Sequence, residues 1–177
     1  MNHRIRAHLK AGGVLAYPTE SCYGLGCDPM NRRAVERILS IKGRPRHKGL
    51  ILIGASLRQL TPFIAEIPDA SRLEKYWPGP FTLLFRPSRR TPKWLTGRHD
   101  RIALRLTAHP ESARLCRSAG SALVSTSANR SGMKPVKSYR ECIARFGRKV
   151  LVIPGRIGKR KNPSTILDFE SGRIFRP

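Results

Sequence analysis

Residues 16–29 read AYPTESCYGLGCDP, and the folding of this stretch decides the architecture around it. The apolar lead-in Val14-Leu15-Ala16-Tyr17 reads as a strand. Pro18 has no amide hydrogen and ends the ladder. Thr19 is then expected to stand at a strand end with its hydroxyl and amide free, a place where open α/β sheets bind ligands. Gly24 and Gly26 follow two apart, and glycines let a backbone approach a ligand closely. An ordinary turn with structural glycines accounts for the same residues.

Working outward, residues 2–11 read as a short helix stopped by Gly12-Gly13. Asp28-Pro29 breaks the chain, and Val35, Ile38 and Leu39 recur at the helical interval up to Lys42-Gly43. Residues 50–53 are a continuous apolar run, as in an interior strand. Residues 56–76 read as helix cut by Pro62 and Pro68. The rigid turn Trp77-Pro78-Gly79-Pro80 precedes a strand at 81–85, and 87–100 reads as basic loop. Strand (102–106), helix (110–119), strand (122–125), helix (138–146) and strand (150–153) then alternate as in α/β structure. A basic loop over 154–163 leads to two short strands, 165–168 and 173–175. There is no repeat and no linker, so 1–177 is expected to be one domain.

The 177 residues carry 35 Lys and Arg against 11 Asp and Glu, a formal charge of +24. The cations recur in every segment, so the charge is no tail. Such a field attracts polyanions, nucleic acid or nucleotide phosphates first. A compositional arginine bias on solvated faces accounts for part of it. No apolar run approaches the ~20 residues of a membrane span. No apolar secretory segment follows the basic start, so a cytoplasmic protein with no membrane partner is expected. Cys22 and Cys27 are five apart, and the five histidines form no H-x-x-x-H pair. A Cys/His metal cluster is therefore not expected, and the four cysteines are expected buried and reduced.

Four polar stations stand at strand ends. The first is the turn at 18–26. The second is Lys42-Gly43-Arg44-Pro45-Arg46-His47-Lys48. Gly43 permits a turn that would bring Lys42 and Arg44 together on a triphosphate, in a solvated groove, with Arg as a fork and Lys as a point charge. A solvated loop compensating a helix C-terminus explains the same cations. The third is Val124-Ser125-Thr126-Ser127-Ala128-Asn129, a strand running into hydroxyls able to bind phosphate, ribose or an amino acid. The fourth is Pro163-Ser164-Thr165. No Walker-type loop and no G-x-G-x-x-G occurs. The residues thus point to one composite anion site for a nucleotide, and physics stops there.

The motifs PTESCYGLG (18–26), KGR (42–44), WPGP (77–80), STSANRSG (125–132) and NPSTILD (162–168), in that order, resemble the YrdC-like family, the threonylcarbamoyl-AMP synthases. KGLILI (48–53) and PKWLTGR (92–98) are most similar to its short bacterial TsaC type. The resemblance implies a single α/β (mixed α+β) domain, a twisted mixed sheet flanked by helices with a basic concave groove. It implies formation of threonylcarbamoyl-AMP and pyrophosphate from L-threonine, bicarbonate and ATP, with Mg²⁺, for a tRNA modification completed by downstream threonylcarbamoyl-transfer proteins. By motif it implies catalytic Lys42 and Arg44, ATP contacts from Lys42, Arg44, Lys48, Ser127 and Asn129, and threonine contacts from Thr19, Arg105, Ser125 and Ser164. Glu20 is open between orienting a backbone group, orienting a ligand, and lying near a metal. Ser21-Cys22 stand where the common turn has Thr-Val, and Lys48-Gly49 where longer members have Asn-Pro. No extra C-terminal domain of the longer type is expected. The competing reading is an RNA-binding maturation factor of the same fold. A third keeps the fold and makes carbamoyl-adenylate for hydrogenase maturation.

Overall fold

The computed structural model describes residues 2–177. In chain order the elements are α1 (Asn2–Lys10), β1 (Leu15–Pro18), β2 (Tyr23–Gly26), α2 (Arg32–Lys42), β3 (Ile51–Gly54), α3 (Leu57–Leu60), α4 (Ala70–Leu73) and β4 (Phe81–Phe85). There follow α5 (Lys93–Thr96), β5 (Ile102–Leu106), α6 (Pro110–Ala119), β6 (Leu123–Ser127), α7 (Tyr139–Phe146), β7 (Leu151–Val152), β8 (Thr165–Asp168) and β9 (Ile174–Arg176). The strands form one mixed sheet in the order β7-β1-β2-β6-β3-β5-β4-β8-β9. Three neighbouring pairs are parallel: β1 with β7, β3 with β5, and β4 with β8. The others are antiparallel.

The opening stretch is a hairpin. Leu15 to Pro18 pair with Gly26 to Tyr23, and Thr19–Cys22 form the connection. The glycines lie in strand β2 and not in the expected turn; Tyr-Gly-Leu-Gly is poor strand material by local preference. Gly26 is required by packing. A Cβ there would lie 2.5 Å from the Val124 carbonyl oxygen and 2.7 Å from the Tyr17 ring.

Helix α2 begins where Asn31 Oδ1 accepts from the Ala34 amide at 3.0 Å. It ends at Gly43, whose left-handed φ of 60° lets its amide bond the Leu39 and Ser40 carbonyls. Other boundaries differ from expectation. Residues 56–76 hold only α3, a 3₁₀ turn at Thr61–Phe63 and α4, since the two prolines leave no room for a longer ladder. The segment 87–100, expected as loop, contains α5. The strand expected over 122–125 runs to Ser127, so the hydroxyls at 125–127 belong to the strand. The strand expected over 150–153 shortens to Leu151–Val152.

Strand alternation divides the core into two layers. Ala16, Tyr23, Leu25, Leu52, Leu104 and Val124 join the larger cluster with Val35 and Ile38 of α2. Leu15, Tyr17, Ile53 and Leu123 face the other way, beneath Ile5 and Leu9 of α1 and Leu115 and Cys116 of α6. By the same alternation Gly24, Ser125, Ser127 and Arg105 lie on this second face. The two helices cover only part of it, and the remainder is a recess. No helix among the described residues is long and apolar enough to cross a membrane.

Candidate active site

The recess encloses a cavity of about 350 Å³. Its walls come from the β1–β2 connection (Thr19, Ser21, Cys22), from Gly24, from Ser125, Thr126 and Ser127 of β6, and from Arg105 of β5. Five cations line it: Arg44, Arg105, Lys137, Lys161 and Arg176; no acidic residue is in its lining. A neighbouring cavity of about 510 Å³ shares Arg44, Leu50, Ile51 and Arg176 with it. The second is lined by Leu84, Leu95, Ala103, Ile166 and Phe175, with Lys48, Arg98 and Arg101 among its cations. Both volumes lie in the range of small-molecule sites.

The residues expected at the site separate into three groups. Thr19, Arg44, Arg105, Ser125, Ser127 and Ser164 line the first cavity. Lys48 is exposed and lines the second. Lys42 and Asn129 line neither.

Two expectations are corrected. Thr19 does not stand with free donors: its amide (3.0 Å) and its hydroxyl (2.8 Å) both donate to the Cys22 carbonyl, closing the connection. Lys42 is not in a solvated groove. It is 3% exposed, and its ammonium donates to the Ser127 carbonyl, to the Asn129 carbonyl (3.0 Å) and to Asn129 Oδ1 (3.0 Å). Burial first, then the charge of Arg44, pushes its pKa down to about 8. Beyond the Gly43 turn Arg44 lines the cavity, while the Lys42 ammonium bonds the turn after β6 and lies 3.5 Å from the hydroxyl of Ser127, a lining residue. Arg44 Nη2 donates to the Gly49 carbonyl at 2.7 Å, while its buried Nε has no partner among the described residues.

Glu20 has a partner in the chain itself. Its Oε2 lies 3.1 Å from Arg105 Nη2, with the side chains 15% and 10% exposed. Its Oε1 accepts from the Thr107 hydroxyl at 2.8 Å. The Arg105 Nε finds no hydrogen-bond partner among the described residues, so part of this guanidinium is unspent. The backbone of the same turn anchors the basic loop: Gly158 N donates to the Thr19 carbonyl (2.9 Å) and Arg160 N to that of Glu20 (3.1 Å). This loop brings Lys161 and Ser164 to the cavity. Ser164 is buried, its hydroxyl 2.7 Å from that of Thr82.

Sequence reasoning missed Arg176, Lys137 and Cys22 as lining residues. Arg176 donates through Nε (3.0 Å) and Nη2 (2.7 Å) to the Ser164 carbonyl and stands between the two cavities. Nothing in the local pattern Ile174-Phe175-Arg176 marks it, since its role comes from β9 pairing with β8. The Cys22 thiol is pushed up by burial, with Ser21 and Thr19 pulling the other way. All four cysteines are buried and unpaired.

A family model, Sua5_yciO_yrdC, described as telomere recombination, matches residues 7–177. The chain belongs to this family. It is 55% identical to a threonylcarbamoyl-AMP synthase of Chromobacterium violaceum, over 99% of this chain and 92% of that one. It is 54% identical to a protein of the same name from Methylobacillus flagellatus, over 96% and 95%. In three dimensions it is similar to P. abyssi Sua5 solved in complex with L-threonine, with a TM-score of 0.86 and 33% identity. That match covers 95% of this chain and 51% of the Sua5 chain, so this protein spans about half the length of that relative.

Proposed function

We propose that the chain, as one domain, is a threonylcarbamoyl-AMP synthase acting in the cytoplasm. The observation that carries the reading is the cavity itself: five cations, hydroxyls from three strand ends and no carboxylate, in a chain whose close relatives bear that name. Threonine would occupy the first cavity, its carboxylate on the unspent edge of Arg105 and its polar groups among Thr19, Ser125 and Ser164. ATP would lie across Arg44 and Arg176, its phosphates toward Ser127 and its base over the apolar floor of the second cavity beside Lys48.

The chemistry asks for positioning more than for covalent help. The threonine amine and bicarbonate give an N-carboxylate with loss of water. One carboxylate oxygen then bonds to the α-phosphorus, the bond from that phosphorus to the bridging oxygen breaks, and the electron pair leaves with pyrophosphate. Arg44, Arg176, Lys137 and Lys161 surround the space where this negative charge would gather. Mg²⁺ would arrive on the triphosphate. The described residues bring together no group of three His, Cys, Asp or Glu, so they offer no cage of their own and no step here runs through the ion. The charge of +24 supports contact with tRNA or other RNA as an added property. The product would pass to proteins that transfer the threonylcarbamoyl group to tRNA.

The test is release of pyrophosphate from ATP. Release that requires both threonine and bicarbonate is the expected result. Release supported by carbamoyl phosphate without threonine would move the reading to a carbamoyl-adenylate enzyme. RNA binding with no release under either condition would leave an RNA-binding factor.

A further inference from the structure

Three of the four cysteines have a place in the core: Cys27 and Cys142 pack in the larger cluster and Cys116 in the second. Cys22 belongs to neither. It is 8% exposed, stands in the β1–β2 connection and lines the first cavity. The Thr19 hydroxyl is turned to the Cys22 carbonyl, to which it donates at 2.8 Å. Thr19 therefore offers its methyl to the neighbouring strand: a Cβ at Gly24 would lie 3.1 Å from that methyl and 3.6 Å from the Ser125 hydroxyl oxygen. The bare Gly24 thus leaves room between a methyl and a hydroxyl. Burial pushes the Cys22 thiol up, with Ser21, Thr19 and then Arg105 pulling the other way, so the sulfur is uncharged and stands near the guanidinium. A neutral thiol behaves as a small hydrophobe. Arg105, itself 8% exposed, lines the same cavity, and its Nε has no partner among the described residues.

We propose that Cys22 is a specificity-determining residue: with the Thr19 methyl it forms the apolar wall that takes the β-methyl of a β-hydroxy amino acid whose carboxylate lies on Arg105, and so favours threonine over serine. This role rests on the placing of threonine in the first cavity proposed above. Threonine and serine share the carboxylate, the amine and the β-hydroxyl, and the methyl alone separates them. The cations and hydroxyls of the lining therefore serve both alike, and discrimination falls to an apolar contact. Of the other apolar lining residues, Leu50 and Ile51 are shared with the second cavity, and Pro135 and Pro163 stand on loops two residues from Lys137 and Lys161. Cys22 shares its turn with Thr19 and stands beside Arg105, where the amino acid is held.

The test is the ratio of threonine to serine affinity by calorimetry. In the native protein threonine should bind about tenfold or more tightly, the discrimination expected of one methyl on an apolar wall. Cys22→Ser keeps the size and sets a polar atom against the methyl. It should bring the ratio below about threefold by weakening threonine while leaving serine unchanged. Cys22→Ala opens the wall, so the affinity for L-threo-3-hydroxynorvaline, one methylene longer, should rise relative to that for threonine. A ratio that Cys22→Ser leaves unchanged, or equal losses for both amino acids, would overturn the proposal, because Cys22 would then act only through the fold of its turn. If neither variant folds, the native protein decides. Methyl methanethiosulfonate should modify Cys22 ahead of the three core cysteines, and saturating L-threonine should shield it; modification at an undiminished rate with threonine bound overturns the proposal. A native protein that binds neither amino acid sinks the threonine reading and this role with it, whereas threonine binding with no preference over serine sinks this role alone.

Discussion

Removing Arg105 should cost stability before it costs catalysis. The guanidinium and the Glu20 carboxylate are 3.1 Å apart with side chains 10% and 15% exposed. Breaking such a pair from one side leaves the other charge stranded, at about 3–5 kcal/mol. For Arg105→Met the lower end applies, since Glu20 keeps the hydrogen bond from Thr107. About 3 kcal/mol corresponds to a fall in thermal midpoint of about 6–12 °C in a chain of this size. Glu20→Gln retains an acceptor for Thr107 but leaves the guanidinium uncompensated, so a similar fall is expected. The double variant should recover much of the loss, with a coupling of more than about 1 kcal/mol by thermal or urea unfolding. Penalties that add to within about 0.5 kcal/mol would refute the reasoning, because the pair would then be two independent groups. Calorimetry on the folded Arg105→Met protein should show threonine weakened more than ATP. The reverse result would exchange the ligands between the two cavities.

Arg44→Ala should lower threonine-dependent pyrophosphate release about tenfold or more, the loss expected of one charge-assisted contact; unchanged release removes Arg44 from the site. Gly24→Ala and Gly26→Ala should part company. A Cβ at Gly26 meets backbone at 2.5 Å, which cannot give way, and should destabilise by about 1–3 kcal/mol. At Gly24 it meets the Thr19 methyl at 3.1 Å, beside the cavity, and should mainly weaken threonine binding; equal thermal losses with intact threonine affinity would refute the distinction. Replacing Arg156 and Lys159, both clear of the two cavities, by serine should flatten the salt dependence of RNA binding by about 0.7–0.9 per lost contact on a log–log plot. A flat salt response in the parent protein would return the charge to composition.

The legible parts of this fold were those written in local chemistry. The apolar run 50–53, the sequence 102–106 and the glycine stops at 12–13 and 43 mark elements by period and punctuation, and β3, β5, α1 and α2 lie there. Strand β2 was not legible, because Gly26 answers to Val124 and Tyr17 on neighbouring strands. The candidate site was legible as four strand-end stations, five of whose expected residues meet in one cavity, joined there by Arg105, which only the resemblance supplied. The direction of each side chain was not. Whether Lys42 and Arg44 act together depends on acceptors at 127 and 129, far along the chain, and no window around Lys-Gly-Arg contains them. Arg176 was invisible for the same reason, being delivered by the pairing of β9 with β8.

The placement of the acids shows how such a basic chain keeps a site for anions. Only 11 carboxylates are available to 35 Lys and Arg. The two most enclosed in ion pairs, Glu20 and Asp168, are assigned to single arginines: Glu20 to Arg105 at the first cavity, and Asp168 to Arg101 at the second, at 3.0 Å. Burial pushes the Asp168 carboxyl up, but the Ser171 amide and hydroxyl, which donate to it, and the Arg101 guanidinium outweigh burial and hold it below the usual carboxylate range. Neither acid lines the first cavity. Each therefore orients an arginine from behind without presenting negative charge to an incoming phosphate or carboxylate. Glu20 goes one step further, since its carbonyl also receives the amide of Arg160 and so ties the lysine-bearing loop to the Arg105 wall. An alanine at Glu20 would release the guanidinium while leaving that backbone bond in place. A mutation of the loop glycine would do the converse, since a Cβ at Gly158 would stand 2.7 Å from the Glu20 carbonyl oxygen. Threonine affinity should follow the first change and pyrophosphate release the second, because the first disturbs Arg105 and the second displaces Lys161.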